Sequence, residues 1–285
     1  MLGRMLRTRL AADPEFSVEW TSRRENSGAH LFEADSSSQV LAGIIQRGGG
    51  YDYVVNCIAL LKNAAAEAGD PSAMAPASRI NAEFPHTLAS LAEESRFRLL
   101  HVSTDAVFPP ESGRCSEADT PRPADFYGRT KLLGEPRSPH ALTIRCSIIG
   151  PNPVKKQGLF EWVIGQPANA TIKGYVDQLW NGVTTLQFAN LCATIFSGNL
   201  FQKLRDESPV HHFCPNAAVT KYELAQLLCS HFRPDVQVDR ASGGTMTRTL
   251  ETRGMLRNIS GPERPMDVAI EELSTYIDGP KAPGR

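Results

Sequence analysis

The chain has 285 residues, 41% of them apolar and 21% charged, and a net charge of −1. That length supports one large α/β domain, or a domain with a smaller lobe. The balanced charge removes the electrostatic case for binding nucleic acid or an anionic membrane surface, and no apolar run reaches transmembrane length.

Taken in order, the apolar residues Met1, Leu2, Met5, Leu6 and Leu10 recur at helical spacing, so the chain begins inside a helix. This segment is basic and amphipathic and lacks the apolar stretch and cleavage site of a signal peptide. Strands are predicted over 16–20, 31–34, 53–59, 98–103 and 141–147, with helices over 37–46 and 80–94. Strands and helices alternating at this spacing indicate a parallel, doubly wound α/β sheet. Gly150-Pro151-Asn152-Pro153 breaks the pattern. Helices follow over 186–197, 221–232 and 266–277, with 241–254 expected as a mobile loop and 279–285 as a tail. His211 and His212, adjacent on a short strand, would point to opposite faces, against a metal pair. Cys57, Cys115, Cys146, Cys192, Cys214 and Cys229 form no C-x-x-C pair. That argues against a zinc site or a disulfide framework and for a reducing cytoplasm.

The chemistry gathers between Ser103 and Glu135. Thr104 and Asp105 close a buried strand, and Tyr127 opens a helix behind the turn signal Pro121-Arg122-Pro123-Ala124-Asp125, with Asp125 as N-cap. Helical spacing puts Lys131 beside Tyr127. A nearby ammonium pulls a phenol, ordinarily at a pKa of about 10, toward the working range. Thr104 can donate a hydrogen bond to a carbonyl or developing alkoxide. Thr104, Tyr127 and Lys131 are therefore the candidate catalytic residues of an oxidoreductase.

Ser103-Thr104-Asp105, Val107-Phe108, Glu117 with Asp119, Tyr127-Gly128-Arg129-Thr130-Lys131 and Gly134-Glu135, in that order, closely resemble the extended short-chain dehydrogenase/reductase family. The resemblance is to its dTDP-4-dehydrorhamnose reductase-like branch of sugar-nucleotide-binding proteins. It implies a Rossmann-type domain over 1–150, to which segments after 175 return, and a small C-terminal substrate lobe mainly over 151–285. It also implies NADP or NAD as cofactor, reduction of a keto group on a nucleotide-activated sugar for surface polysaccharide synthesis, and compatibility with a homodimer. Ala106 departs from the tyrosine expected of rhamnose-type reductases, which leaves the particular substrate open.

That family opens with an apolar strand and a glycine-rich turn that brings backbone to a pyrophosphate. Here Gly3 matches the tail of that motif, and the first strand is missing. The expectation is that the true protein is longer by one strand and one turn. The alternative is a degenerate, non-catalytic binding or regulatory relative, and a sugar-nucleotide epimerase or dehydratase is a nearer one. Arg23 and Arg24, after the second strand, are candidates for a 2′-phosphate, or an ordinary solvated pair. Asp35 is a candidate for the adenine or a helix cap. Asn56, Cys57, Ile58 and Ala59 would line the cofactor cleft, with Lys131 on the ribose and Lys62 and Asn63 as weaker candidates. Asn81 and Pro85 also fit the family pattern, mostly in a structural role. Ser103, Asp105, Arg145, Trp162, Gln178, Trp180 and Asn181 are nominated for the nucleotide-sugar, each tryptophan equally suited to lobe packing. Arg248 or Arg253 could reach a substrate phosphate, with a solvated loop as the plainer reading.

Overall fold

Leu2, Met5, Leu6 and Leu10 form one buried stripe on α1 (Leu2–Ala11), as their spacing requires. The computed structural model describes residues 1–24, 28–34 and 38–279. After α1 come two short strands, β1 (Trp20–Ser22) and β2 (Ala29–Leu31), paired in parallel, and then α2 (Ser38–Arg47). β3 (Tyr53–Asn56) leads through a loop to α3 (Ala64–Glu67) and α4 (Pro71–Ser78). A π-helical turn, Arg79–Glu83, joins α4 to α5 (Phe84–Ser95). β4 (Arg98–Ser103) ends in the 3₁₀ turn Asp105–Val107 and is followed by β5 (Gly113–Cys115), α6 (Phe126–Leu133) and β6 (Ala141–Arg145).

The second half contributes β7 (Ile148–Ile149), α7 (Leu159–Ile164), β8 (Thr171–Tyr175), β9 (Gln178–Trp180), β10 (Val183–Thr184) and α8 (Thr185–Ser197). Then come α9 (Phe201–Glu207), β11 (Val210–His212), β12 (Val219–Thr220), α10 (Lys221–Phe232), β13 (Gln237–Ala241), β14 (Met246–Leu250), α11 (Gly254–Ser260) and α12 (Met266–Asp278). Capping boxes start α8 (Thr184 with Gln187) and α10 (Thr220 with Glu223), each meeting two otherwise unpaired N–H donors.

The main sheet is parallel, in the order β11–β6–β4–β3. Successive strand residues face opposite sides, so Leu100 joins the larger core with α1, α8 and α12, while Leu99 joins a second core with α2 and α5. Both faces are thus covered, as a parallel sheet demands. β11 comes from the C-terminal half and seals the edge beside β6. β1 and β2 form a separate two-stranded sheet that shares no strand with the main one. A second four-stranded sheet, β12–β9–β14–β5, sits beyond the carboxyl end of β4, where β14 packs on the Asp105–Val107 turn.

Several expected boundaries move. The third sheet strand stops at Asn56 because the Asn56 side chain accepts the N–H of Ile58, an Asx turn that bends 57–59 out of line. Helix begins at Pro71 rather than residue 80, with Asp70 capping it. Residues 16–19 lie outside β1, and the second strand sits at Ala29–Leu31 instead of 31–34. The expected loop over 241–254 contains β14, whose residues pair with both β5 and β9. Among the described residues no helix is long and apolar enough to cross a membrane.

Candidate active site

The catalytic candidates converge at the carboxyl end of β4. Thr104 closes that strand in extended backbone, and its hydroxyl accepts the N–H of Ala106 at 3.2 Å and donates to Asp105 at 3.1 Å. Tyr127 sits in the first turn of α6. Three acidic or basic side chains fix that end of the helix. Asp125 accepts from Gly128 N–H at 2.7 Å, and Lys62 pairs with Asp125 at 2.9 Å. The Glu67 carboxylate accepts the N–H of Phe126 at 2.8 Å and of Tyr127 at 3.1 Å. Two carboxylates at a helix N-terminus satisfy its free donors and suit its dipole.

The far side of α6 is held by Asn81, in the π turn. Its amide donates to Thr130 Oγ1 at 3.1 Å and to the Leu60 carbonyl, and its oxygen accepts the Leu60 N–H. Asn81 thereby couples the loop after β3 to the tyrosine helix, which fits the tendency of π turns to mark functional ground. Two glycines permit the close fit. A Cβ at Gly128 would land on the carbonyl oxygen of Ala106, and one at Gly134 on that of Asn81.

Burial pushes the Tyr127 phenol up to about 12, against the hydrogen bond with Thr104 that pulls it down. The phenol is therefore protonated at neutral pH, the state of a proton donor. Lys131, 2% exposed, donates to the Val102 carbonyl at 2.8 Å and lies 3.4 Å from His101 Nε2. Burial lowers its pKa to about 8, with Glu135 opposing. The tuning of Tyr127 by Lys131 expected from helical spacing is not how the ammonium is used in this structure: it turns inward to the strand. His101, fully buried, also meets Asn56 at 3.1 Å, and burial holds its pKa well below the ordinary imidazole range. Asn56, His101 and Lys131 thus form a buried polar line behind Tyr127.

Several nominated substrate residues belong instead to the framework. Ser103 donates to Glu135 at 2.6 Å, and Arg145 forks onto both oxygens of the same carboxylate at 2.8 and 2.7 Å. With all three side chains buried, Ser103 and Arg145 have spent their polar groups, and neither lines a substrate surface. Asn181 exchanges hydrogen bonds with the Leu250 backbone at 2.8 and 2.9 Å, tying β9 to β14. Trp180 is 4% exposed and packs in the main core, whereas Trp162 is 45% exposed. Gln178 bonds the carbonyls of Gly243 and Gly244, and Arg253 pairs with Glu251. Asp105 is buried beside Thr104.

Toward the cofactor side, Gly3 in the first turn of α1 stands where a Cβ would meet Cys57 at 3.6 Å. The start of α1 therefore faces the carboxyl end of β3. Cys57, Ile58 and Ala59 line that end, half-buried, and Arg23 and Arg24 are exposed just after β1. Asp35 lies outside the described residues. A loop held open by Asn56 and Asn81 beside a ten-residue helix start suits a pyrophosphate and its nucleotide.

The RmlD substrate binding domain family matches residues 1–246. The chain belongs to that family. Proteins named as reductases are among its relatives. A probable low-salt glycan biosynthesis reductase of Haloferax volcanii is 28% identical over 202 residues, 67% of this chain and 63% of that protein. A probable dTDP-4,6-dihydroxy-2-methyloxan-3-one 4-ketoreductase of Streptomyces antibioticus is 36% identical over 137 residues, 47% and 42% of the two chains. The chain spans less than two thirds of the length of these curated relatives. In fold it is similar to the dTDP-4-dehydrorhamnose reductase of Bacillus anthracis solved with NADP, at TM-score 0.75, 18% identity and coverage of 97% and 94%. The corresponding enzyme of Yersinia enterocolitica gives 0.72, 20%, 96% and 95%. These structures establish the Rossmann-type α/β fold of this RmlD family member.

Glu67, His101 and Lys221 entered no motif read from the sequence. Glu67 is one carboxylate on a short helix, 59 residues from the N–H it caps. Lys221 follows the cap Thr220 and carries no spacing signal, yet burial lowers its pKa to about 8.

Proposed function

We propose that the protein reduces a keto group on a nucleotide-activated sugar at the expense of NADPH or NADH, in surface polysaccharide synthesis. The carrying observation is the meeting of the Thr104 hydroxyl and the protonated Tyr127 phenol at the end of β4, above the buried Lys131. The names of its relatives, reductases of nucleotide sugars and glycans, support the same class. A nicotinamide held over Cys57, Ile58 and Ala59 would supply the hydride for the carbonyl carbon. Thr104 donates a hydrogen bond to the carbonyl oxygen as it gains charge. Tyr127 gives its phenolic proton to that oxygen, closing the new alcohol. Lys131, turned inward to the Val102 carbonyl, places positive charge behind the phenolate so formed, and the ribose contact expected of it is not made by the ammonium in this orientation. Cys57, Ile58 and Ala59, with Gly3, would form the floor under the cofactor, and Arg23 or Arg24 would meet a 2′-phosphate.

On this reading residues 1–150, with segments after 175 that return to them, carry the cofactor and 151–285 are mainly the substrate lobe, in a cytoplasmic enzyme compatible with a homodimer. The test is oxidation of NADPH and NADH with dTDP-4-dehydro sugars, with Tyr127→Phe as control. Turnover abolished by that variant supports reduction. Interconversion of sugars without net cofactor oxidation would move the assignment to an epimerase. A second reading, nucleotide-sugar binding without hydride transfer, is favoured by the separation of β1–β2 from the main sheet, which divides the surface a dinucleotide would span. Sugar-nucleotide binding with no affinity for either cofactor would support it.

A further inference from the structure

Asn56, His101 and Thr143 are partners in the registers of β3–β4 and β4–β6, so their side chains form one row across a face of the main sheet. Lys131 reaches that row from α6, and all four side chains are buried. Parallel strands at such a place ordinarily carry apolar side chains, and an unmet polar group there costs stability. The Thr143 hydroxyl has no hydrogen-bond partner among the described residues. Packing alone does not account for the row.

The hydrogen bonds fix the state of the imidazole. The Asn56 oxygen accepts the Ile58 N–H at 3.0 Å, which turns the amide NH₂ toward His101 Nδ1, 3.1 Å away. An amide NH₂ only donates, so Nδ1 accepts and a neutral His101 carries its proton on Nε2. That N–H faces Lys131 Nζ at 3.4 Å. Against an ammonium, two donors meet head-on. Against a neutral amine, the Nε2–H finds the nitrogen lone pair, and an amine N–H still donates to the Val102 carbonyl. Burial, which holds His101 neutral and lowers Lys131 to about 8, acts in the same direction. Glu135, just beyond α6, favours the charge on Lys131, but its carboxylate is forked by Arg145. Cys57 and Cys146, beyond β3 and β6, also face Lys131 and keep their protons through burial. His86 on α5 faces His101 and opposes a charge there.

We propose that His101 is a positioning residue for the reduction: anchored by Asn56 with its Nε2–H toward Lys131, it opposes the ammonium, supports the amine and so sets the pH range in which Lys131 holds charge behind Tyr127. The inference rests on the reductase reading above and adds to it a residue that acts only through Lys131.

The experiment on the full chain has two readouts. Nitrogen-15 spectra of the histidine rings, recorded from about pH 6 to about 10 on the wild type and Lys131→Met, report the state of His101 without any turnover. The proposal expects a neutral ring protonated on Nε2, whose Nε2 signal moves as Lys131 titrates and stays fixed in Lys131→Met. Single-turnover reduction of a dTDP-4-dehydro sugar by NADPH, followed over the same range, gives the second. His101→Phe should move the midpoint of the alkaline limb upward by roughly one pH unit, a tenfold gain in the proton affinity of Lys131. His101→Gln, which can accept from Asn56 and still donate to Lys131, should restore most of the wild-type midpoint. A purely structural role would lower the rate at every pH and leave the midpoint in place, and that result would overturn the proposal. If His101→Phe does not fold, the wild-type spectra still decide: a ring protonated on Nδ1, or an Nε2 signal indifferent to Lys131, would overturn it with the reductase intact. A wild type that oxidises neither NADPH nor NADH would overturn the role in reduction together with the reading beneath it.

Discussion

Lys131 donates its ammonium to the carbonyl oxygen of Val102 at 2.8 Å, two residues before Thr104 on the same strand. The cation is thereby referenced to the strand that ends at Thr104, the polariser proposed above, while its own helix carries Tyr127, the proposed proton donor. Replacing Tyr127 with Phe removes the proton and should lower kcat by roughly 10²–10⁴-fold without loss of fold. Lys131→Met should lower kcat comparably and leave Tyr127 protonated. Single-turnover reduction measured beside NADPH titrations separates the chemical step from binding.

The pH profile follows from the same groups. Tyr127, near 12, keeps its proton well above neutrality, whereas Lys131 titrates near 8. The rate of reduction should therefore fall as pH rises through about 8, and the alkaline limb should vanish in Lys131→Met. Stability moves the other way. Lys131 and Lys221 bind protons less tightly folded, near 8, than at their ordinary 10.5. Between those values the unfolded chain holds more protons, so stability rises with pH across that window, and the penalty is complete below it. Urea denaturation at pH 7.5 and 9.5, values chosen to lie roughly on either side of the folded pKa, reads the sign directly.

Glu67 should behave as a positioning residue. Glu67→Ala frees the N–H groups of Phe126 and Tyr127 and should cost about 1 kcal/mol, as loss of a helix cap does. A tyrosine displaced by a fraction of an ångström should lower kcat by roughly tenfold to a hundredfold. KM for the cofactor should be unchanged, and Glu67→Gln, which keeps one acceptor, should recover part of kcat.

Glu135 and Arg145 provide a contrast. Glu135→Gln leaves the Arg145 guanidinium buried without its counter-charge and should destabilise the fold by roughly 3–5 kcal/mol. Where protein remains folded, KM for the substrate should match the wild type, because neither side chain faces it. Chemical denaturation with parallel kinetics separates this outcome from a substrate role for Arg145.

Gly134→Ala should destabilise by about 1–3 kcal/mol, since a methyl would strike the Asn81 backbone and force the packing open. Gly3→Ala meets Cys57 at ordinary contact distance and should fold normally. Thermal denaturation of the two variants side by side checks both.

The legibility of the chain depended on how local each signal was. β4 and α10 are placed to the residue, β4 by its short apolar run between polar residues and α10 by its amphipathic pattern, which the Thr220–Glu223 capping box then starts. Thr104, Tyr127 and Lys131 announced themselves by spacing within one strand and one helix. Ser103 and Arg145 did not reveal their partner, because Glu135 stands 32 and 10 residues away and unites them only in the folded core. The end of β3 was missed for a local reason, the side-chain turn at Asn56. Trp180 meets Arg248 through sheet register and Lys221 through the start of α10, neighbours that no single segment encodes.

The two glycines that seat α6 carry an implication for how this scaffold can diversify. Backbone presses on backbone at Gly128 and Gly134, so Tyr127 has a fixed address that point mutation nearby cannot gently adjust. Variation in what the protein accepts must then accumulate away from that helix, at positions that pack through side chains rather than main chain. The placement of Tyr127 would be inherited as a block, while the contacts around it stay open to gradual change.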